Sequence, residues 1–208
     1  MTSGNLFIVS APSGAGKTSL VKALLQTGID LSLSVSYTSR RARPEEVDGR
    51  DYHFVSREIF EQKLDRDEFL ESAEVYGNLY GTSQKWINET IASGRDILLE
   101  IDSQGAQQVR RNFPKSVGIF VLPPSLEALE TRLRQRGQDS AETITRRLAA
   151  AREEIGHMSE YDYVIINDKL NQALQNLACI VQAERLRTTS QLARYHDLIT
   201  QLGRIPIS

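Results

Sequence analysis

"VSAPSGAGKTS", residues 9–19, joins the end of the apolar run Leu6 to Ser10 to a segment in which Leu20, Ala23 and Leu24 recur at helical spacing. A short apolar run, a glycine-rich turn and a helical pattern predict a buried strand feeding a helix through a loop. The loop, Ala11-Pro12-Ser13-Gly14-Ala15-Gly16-Lys17-Thr18, follows the pattern G-x-x-x-x-G-K-S/T with Ala11 in place of the first glycine. Its physical content is a cradle for phosphate. Gly14 and Gly16 let successive backbone N–H groups turn inward, the helix starting at Lys17 adds partial positive charge, and Lys17 reaches the β- and γ-phosphates of a nucleotide. Thr18 is then expected to ligate Mg²⁺ through its hydroxyl. Ala11 is small enough to keep the turn tight. The plain alternative is a glycine-rich turn that only connects strand to helix. The motif leaves the phosphate acceptor open, because ATPases, GTPases and kinases share it.

Further strand-like runs are "DILLEI" at 96–101, "VGIFVL" at 117–122 and "DYVII" at 162–166, each flanked by segments of helical character. Such alternation predicts an α/β fold: a P-loop parallel sheet with helices on both faces. Residues 34–83 differ, with short alternating pieces around Gly49, Gly77 and Gly81, and read as a small antiparallel lobe inserted in that frame. Residues 125–155 read as two charged helices broken at Gly137, their arginines Arg132, Arg136, Arg146 and Arg147 most simply a solvated face. Leu170, Leu174, Leu177 and Val181 predict a terminal helix packing back onto the sheet and running to about Leu202. The tail beyond Gly203 is expected to be loose.

With 208 residues, 40% of them hydrophobic and 25% charged, the chain is long enough for one domain with smaller attached lobes. A formal net charge of -2 supplies no global field for a polyanion, so neither nucleic acid nor a membrane surface is an expected partner. The single cysteine, Cys179, forbids an intramolecular disulfide, fits a reducing compartment and is expected to be a small core residue. The opening "MTSGNLFIVSAPSG" has no positive leader and no window approaches membrane-spanning length, so the reading is cytoplasmic. His53, His157 and His196 are scattered without metal-ligand spacing and read as surface or structural residues.

Residues 37–55, "YTSRRARPEEVDGRDYHFV", place Arg40, Arg41 and Arg43 ahead of Tyr52. Guanidinium forks and a phenol suit a phosphate clamp. A solvated basic loop balanced by Glu45, Glu46 and Asp48 is the alternative. "ILLEIDSQG" sets Glu100 and Asp102 at the carboxyl end of a parallel strand, where ligands bind in open α/β sheets. Pairing with a basic neighbour is the plain reading of Glu100.

The order "APSGAGKT", "SVSYTSR" with "DYHF", "FLESAEVYGNLYGTS" and "LLEIDSQGAQQV" resembles the guanylate kinase family, in its bacterial form, over almost the whole chain. The resemblance implies transfer of the γ-phosphoryl of Mg-ATP to GMP or dGMP, giving GDP and ADP, for purine nucleotide metabolism and GMP recycling. It divides the chain into a core (about 1–33, 84–124 and 157–208), a GMP-binding lobe (about 34–83) and a lid (about 125–156). By the same resemblance, the GMP phosphate is held by Arg40, Arg43, Tyr52 and Tyr80 with Ser36 nearby, and the guanine is read by Glu71, Thr82 and Asp102. A carboxylate accepts both N1–H and N2–H₂ of guanine, whereas adenine has no N1–H, so Glu71 suits that role chemically. Many relatives carry serine at Thr82, which keeps the hydroxyl, and an aromatic at Leu79; Arg41 is not a motif position. Asp102 has two open roles, reading the base or orienting the metal through water.

The resemblance also assigns Arg132, Arg136 and Arg147 to a lid that closes on the ATP phosphates and brings Asn167 to the adenine. Lys17, Arg40 and those lid arginines are its catalytic set. No general base is needed, because the phosphate of GMP is already ionised near neutral pH and catalysis can be positioning plus electrostatics. Two rival readings are a kinase for another phosphorylated acceptor and a scaffold of the same fold that binds phosphorylated protein segments. The guanine-reading set argues against the first, the intact phosphate loop against the second. A homo-oligomer stays open, since the terminal helix is long enough to serve both the core and a second copy.

Overall fold

Strand β1 (Leu6–Ser10) is buried along its whole length, and its alternate side chains enter opposite cores. The structure is a computed structural model that describes residues 4–75, 77–135 and 140–203. Five strands form a parallel sheet: β1, β2 (Ser32–Leu33), β7 (Ile97–Glu100), β8 (Val117–Leu122) and β9 (Tyr163–Ile166), in the order β2-β7-β1-β8-β9. Phe7 and Val9 face a core closed by Leu20 and Leu24 of α1 (Lys17–Gln26) and by Leu177 and Val181 of α7 (Leu170–Arg185). Leu6 and Ile8 face the other, closed by Ile87 of α3 (Gln84–Ala92) and Val109 of α4 (Ser103–Asn112). A strand covered on both faces has no polar side to show, hence the unbroken apolar run. Because β1 is central, its carboxyl end delivers the glycine-rich loop to the middle of the sheet's edge.

The inserted lobe is a second sheet of order β4-β3-β6-β5, with β3 (Tyr37–Thr38), β4 (His53–Phe54), β5 (Phe69–Val75) and β6 (Asn78–Ser83), and helix α2 (Arg57–Asp65). It is mixed rather than antiparallel as the alternation suggested. β5/β6 and β3/β6 are antiparallel, but β3/β4 is parallel. The loop between β3 and β4 is long enough to return the chain in the same direction, and it folds back at Gly49 (φ 74), whose N–H donates to the Tyr52 carbonyl at 2.8 Å. Helices α5 (Leu126–Gln135) and α6 (Ala141–Gly156) pack on each other through Leu129, Leu133, Ile144 and Ala151. Gly137, Arg136 and the tail beyond Gly203 lie outside the described residues.

The carboxyl-terminal expectation needs correction. The segment is three helices, not one: α7, α8 (Thr188–Arg194) and α9 (His196–Gly203). Arg187 turns extended (φ −56, ψ 141) just before Thr188, Thr189 and Ser190, residues that lower helix propensity and favour a restart. Cys179 is exposed, so it is not a core residue. The buried stripe of α7 is Ala173, Leu177, Val181 and Glu184, while Leu170, the first helical residue, is 43% exposed. Glu184 is tolerated because the Tyr163 hydroxyl donates to it at 2.5 Å and Arg187 pairs with it at 2.6 Å. Among the described residues no helix is long and apolar enough to cross a membrane.

Candidate active site

Gly14 (φ 96) and Gly16 (φ 93) both sit in the left-handed region, and the Ala15 N–H donates to the Pro12 carbonyl at 3.0 Å to close the turn between them. Space demands glycine as well. A Cβ on Gly14 would lie 2.9 Å from Leu133 of α5, and one on Gly16 would collide with the Asn167 amide. Asn167, 5% exposed, donates from that amide to the Ala15 carbonyl at 2.8 Å. Arg132 donates to the same carbonyl at 3.3 Å and to the Asn167 carbonyl at 2.9 Å. The loop is thus held from behind by α5 and by the turn after β9. Its cleft side carries the Lys17 ammonium, which donates to the Ile101 carbonyl at 2.7 Å, and the Thr18 hydroxyl, which donates to Glu100. The observed partner of Glu100 is therefore a hydroxyl, where the sequence suggested a basic side chain.

Across the cleft, the Arg40 fork donates to both oxygens of Glu46 at 2.9 and 3.0 Å, and Glu46 also accepts the Arg43 N–H at 2.8 Å. That pairing with Glu46 raises the Arg40 guanidinium further above its ordinary range. Arg40 lies 5.3 Å from the centroid of the Tyr52 ring, and Tyr52 sits edge-on to Tyr80 at 5.9 Å. Burial, helped by the facing Glu100, pushes the Tyr52 phenol up to about 12, so it remains a hydrogen-bond donor at any working pH. Arg41 and Arg43 are exposed. The basic loop is therefore balanced by Glu46, as its composition allowed, and still presents one ordered guanidinium.

Glu71, the guanine contact that the resemblance implies, is only 4% exposed. The fully buried Thr82 hydroxyl donates to its Oε1 at 2.6 Å, and the Ser36 hydroxyl lies 3.5 Å from Thr82. Strand β5 is fixed to α4 by Gln108, whose side-chain amide donates to the Ser72 carbonyl at 2.8 Å and accepts the Ser72 N–H at 3.1 Å. Burial, with Asp102 adding repulsion, pushes the Glu71 carboxyl up to about 7 against the opposing effects of Thr82 and Lys17. Asp102 is the N-cap of α4, its Oδ1 accepting the Gly105 N–H at 2.8 Å.

Gly105 was missed from sequence. A Cβ there would lie 2.6 Å from Glu71 Oε2. Gly105→Ala is accordingly expected to displace the Glu71 carboxylate and raise KM for a nucleoside monophosphate acceptor about 10- to 100-fold, with ATP affinity unchanged. Steady-state kinetics with each substrate varied in turn checks this.

One cleft of about 450 Å³ gathers Ala11 to Gly14, Gly16 to Thr18, Ser36, Tyr52, Tyr80, Glu100 and Asp102. A neighbouring hollow of about 390 Å³ is lined by Gly14, Gly16, Arg132 and Asn167. Another cavity, of about 610 Å³ beside Tyr37, Lys63 and Lys85, contains no phosphate-loop residue. Arg147 is half-buried on α6, Arg146 is exposed, and Arg136 is outside the described residues. Glu154 of α6 also reaches the 450 Å³ cleft, where the sequence suggested only a solvated helix face. The available signal was Ala150 four residues before it, one turn back on the same face. His157 pairs with Glu160 at 2.7 Å and His196 with Asp197 at 3.3 Å, both away from the cleft.

A family model described as guanylate kinase matches residues 3–184. The guanylate kinase of Nitrosospira multiformis is 75% identical over 206 residues, covering 99% of this chain and 98% of its own. That of Nitrosomonas europaea is 58% identical over 198 residues, covering 95% and 98%. The crystal structure of guanylate kinase from Anaplasma phagocytophilum superposes with a TM-score of 0.78 at 32% identity, over 99% of this chain and 98% of that one.

Proposed function

The chain belongs to the guanylate kinase family and is an ATP:GMP phosphotransferase, and we propose the following division of that reaction among its own residues. One observation carries the proposal: Lys17 in its glycine loop and the Tyr52 and Tyr80 phenols border a single 450 Å³ cleft, and the Arg40 guanidinium, outside that lining, lies 5.3 Å from the Tyr52 ring. Two anion-binding sets facing one volume suit a donor phosphate and an acceptor phosphate held in line.

The loop N–H groups from Ser13 to Thr18, other than that of Ala15, and the Lys17 ammonium hold the ATP phosphates, and Asn167 approaches the adenine. Arg40, Arg43, Tyr52 and Tyr80, with Ser36 nearby, hold the GMP phosphate. The ionised Glu71 accepts both guanine N–H groups while Thr82 fixes its orientation. Asp102 stands at the same pocket, its cap duty fixing the carboxylate. This buried acid argues for guanine over another phosphorylated acceptor. Arg132, Arg136 and Arg147 form the lid's cationic set, stabilising charge on the transferring phosphoryl and excluding water. In domain terms, residues about 125–156 act as this lid, about 34–83 as the acceptor lobe, and the remainder as the core. We place the enzyme in the cytoplasm, since its single cysteine allows no intramolecular disulfide and fits a reducing compartment.

The residues present fit Mg²⁺. Among the described residues no group of three or more acidic, histidine or cysteine side chains could hold a metal, whereas an exposed Thr18 hydroxyl next to Glu100 suits an ion whose other ligands are phosphate oxygens and water. Thr18 would hold it directly, with Glu100 orienting the hydroxyl. When bound, the ion neutralises charge on the β- and γ-phosphates. Thr18→Val tests this assignment. The Mg²⁺ concentration for half-maximal turnover is expected to rise about 10- to 100-fold. An unchanged Mg²⁺ dependence would remove Thr18 from the metal site.

A further inference from the structure

Helix α6 turns a carboxylate into the phosphate cleft. Glu154 borders the same 450 Å³ volume as Lys17 and Asp102, with Ala150 beneath it on the helix face. Every group assigned above to the ATP phosphates is a cation, a hydroxyl or a backbone N–H. Glu154, the acidic group that α6 adds to this cleft, is of the opposite kind, since an ionised carboxylate repels phosphate and attracts the same lysine.

The surrounding charges come from every wall. Lys17 of α1 favours the ionised form; Asp102 at the start of α4 and Glu153 on its own helix oppose it. Glu74 of β5, Glu100 of β7 and the phenols Tyr52 and Tyr80 border the volume as well. Burial, the largest influence, together with the acidic neighbours pushes the Glu154 carboxyl up to about 7 in spite of Lys17.

We propose that Glu154 is a positioning residue of the lid that competes with the nucleotide phosphates for Lys17, so that its carboxylate weakens ATP binding and speeds the departure of ADP. The proposal rests on the phosphate-loop reading of Lys17. Its functional sense is that a lid lined only by cations would retain its products, and product release limits turnover in many enzymes that close over their substrates. Glu154 differs in kind from the lid arginines, because it acts through Lys17 and not on the transferring group.

The test is calorimetric titration of the full chain with ATP in EDTA, near pH 6 and near pH 8, for wild type, Glu154→Gln and Glu154→Asp. At the higher pH Glu154 is ionised, and the glutamine variant is expected to bind ATP roughly three- to tenfold more tightly than wild type. At the lower pH the wild-type carboxyl is mostly neutral, and the ratio is expected to fall toward one. The titration of ATP itself is common to both proteins and cancels in that ratio. Glu154→Asp should follow wild type at both pH values, and ADP dissociation measured by stopped flow should slow in Glu154→Gln by the same factor. Should Glu154→Gln fail to fold, Glu154→Ala gives the same comparison.

A ratio near one at both pH values, or weaker ATP binding by Glu154→Gln, would overturn the proposal. Lys17→Ala, titrated alongside, separates the two readings. If that variant loses ATP while Glu154→Gln matches wild type, only the Glu154 inference fails; if it binds ATP normally, the phosphate-loop reading fails first.

Discussion

Lys17→Ala is expected to lower kcat by about 10³-fold or more while leaving the protein folded, an effect in the range found when one charged or hydrogen-bonding group is removed from a transferring centre. The reasoning runs from position to chemistry. Gly14 and Gly16 sit at positive φ with no room for a side chain beside Leu133 and Asn167, so the loop's shape does not depend on the lysine side chain. The ammonium donates to the Ile101 carbonyl at 2.7 Å, and truncation leaves that carbonyl at the wall of the cleft. The stability cost of losing such a bond is about 1 kcal/mol. Turnover, in contrast, loses the cation facing the β- and γ-phosphates. A thermal melt close to wild type with a collapsed kcat is the expected pair of results. A near-normal kcat would refute the phosphate-loop assignment.

Glu71→Gln is expected to reduce kcat/KM for GMP by about 10²- to 10⁴-fold with little change in ATP affinity, because the amide offers one acceptor and one donor where guanine presents two donors. The same substitution should stabilise the protein at alkaline pH. The carboxyl stands at about 7 in the folded chain against 4.5 as its ordinary value. An acid raised in this way contributes stability that is fully present below about 4.5 and lost as pH rises through about 7. Ionised Glu71 therefore costs on the order of 1–3 kcal/mol near pH 8, and the glutamine variant should melt higher there but not near pH 5. The sign for function is opposite: GMP affinity of the wild type should strengthen from pH 6 to pH 8 as the double acceptor forms. Melting curves and GMP titrations of both proteins at three pH values check the pair of trends. Loss of GMP selectivity without a rise in melting temperature would mean that the carboxylate is better solvated than its burial implies.

Much of the frame was legible in the chain. The runs at 6–10 and 117–122 are β1 and β8 to the residue, and α1 starts at Lys17 as the phosphate-loop pattern requires. Apolar continuity and glycine spacing are local, so they survive without tertiary context. β2 and β4, of two residues each, carry no periodicity and exist only because a neighbouring strand pairs with them. The terminal helices were missed because Leu198 and Leu202 prolong the apolar spacing past the break at Arg187, although both are exposed.

The site was legible in parts. The phosphate loop declares itself by spacing. Arg40, Glu71 and Asp102 come from separate segments, and it was the family resemblance, not periodicity, that grouped them. Asp102 as a helix cap was readable in principle, since an aspartate directly before a helical run is a start signal. Gly105 was not, because its need for a missing side chain arises only when β5 brings Glu71 over α4.

The most direct measurement is ADP formation from Mg·ATP with GMP, dGMP, AMP, UMP and a phosphorylated sugar as acceptors, run on wild type and Glu71→Gln side by side. Selective turnover of GMP and dGMP by wild type, lost in the variant while the protein still binds ATP, is the expected result. Comparable turnover of AMP by wild type, or GMP kinetics unchanged in Glu71→Gln, would contradict the assignment of the buried carboxylate as the guanine reader.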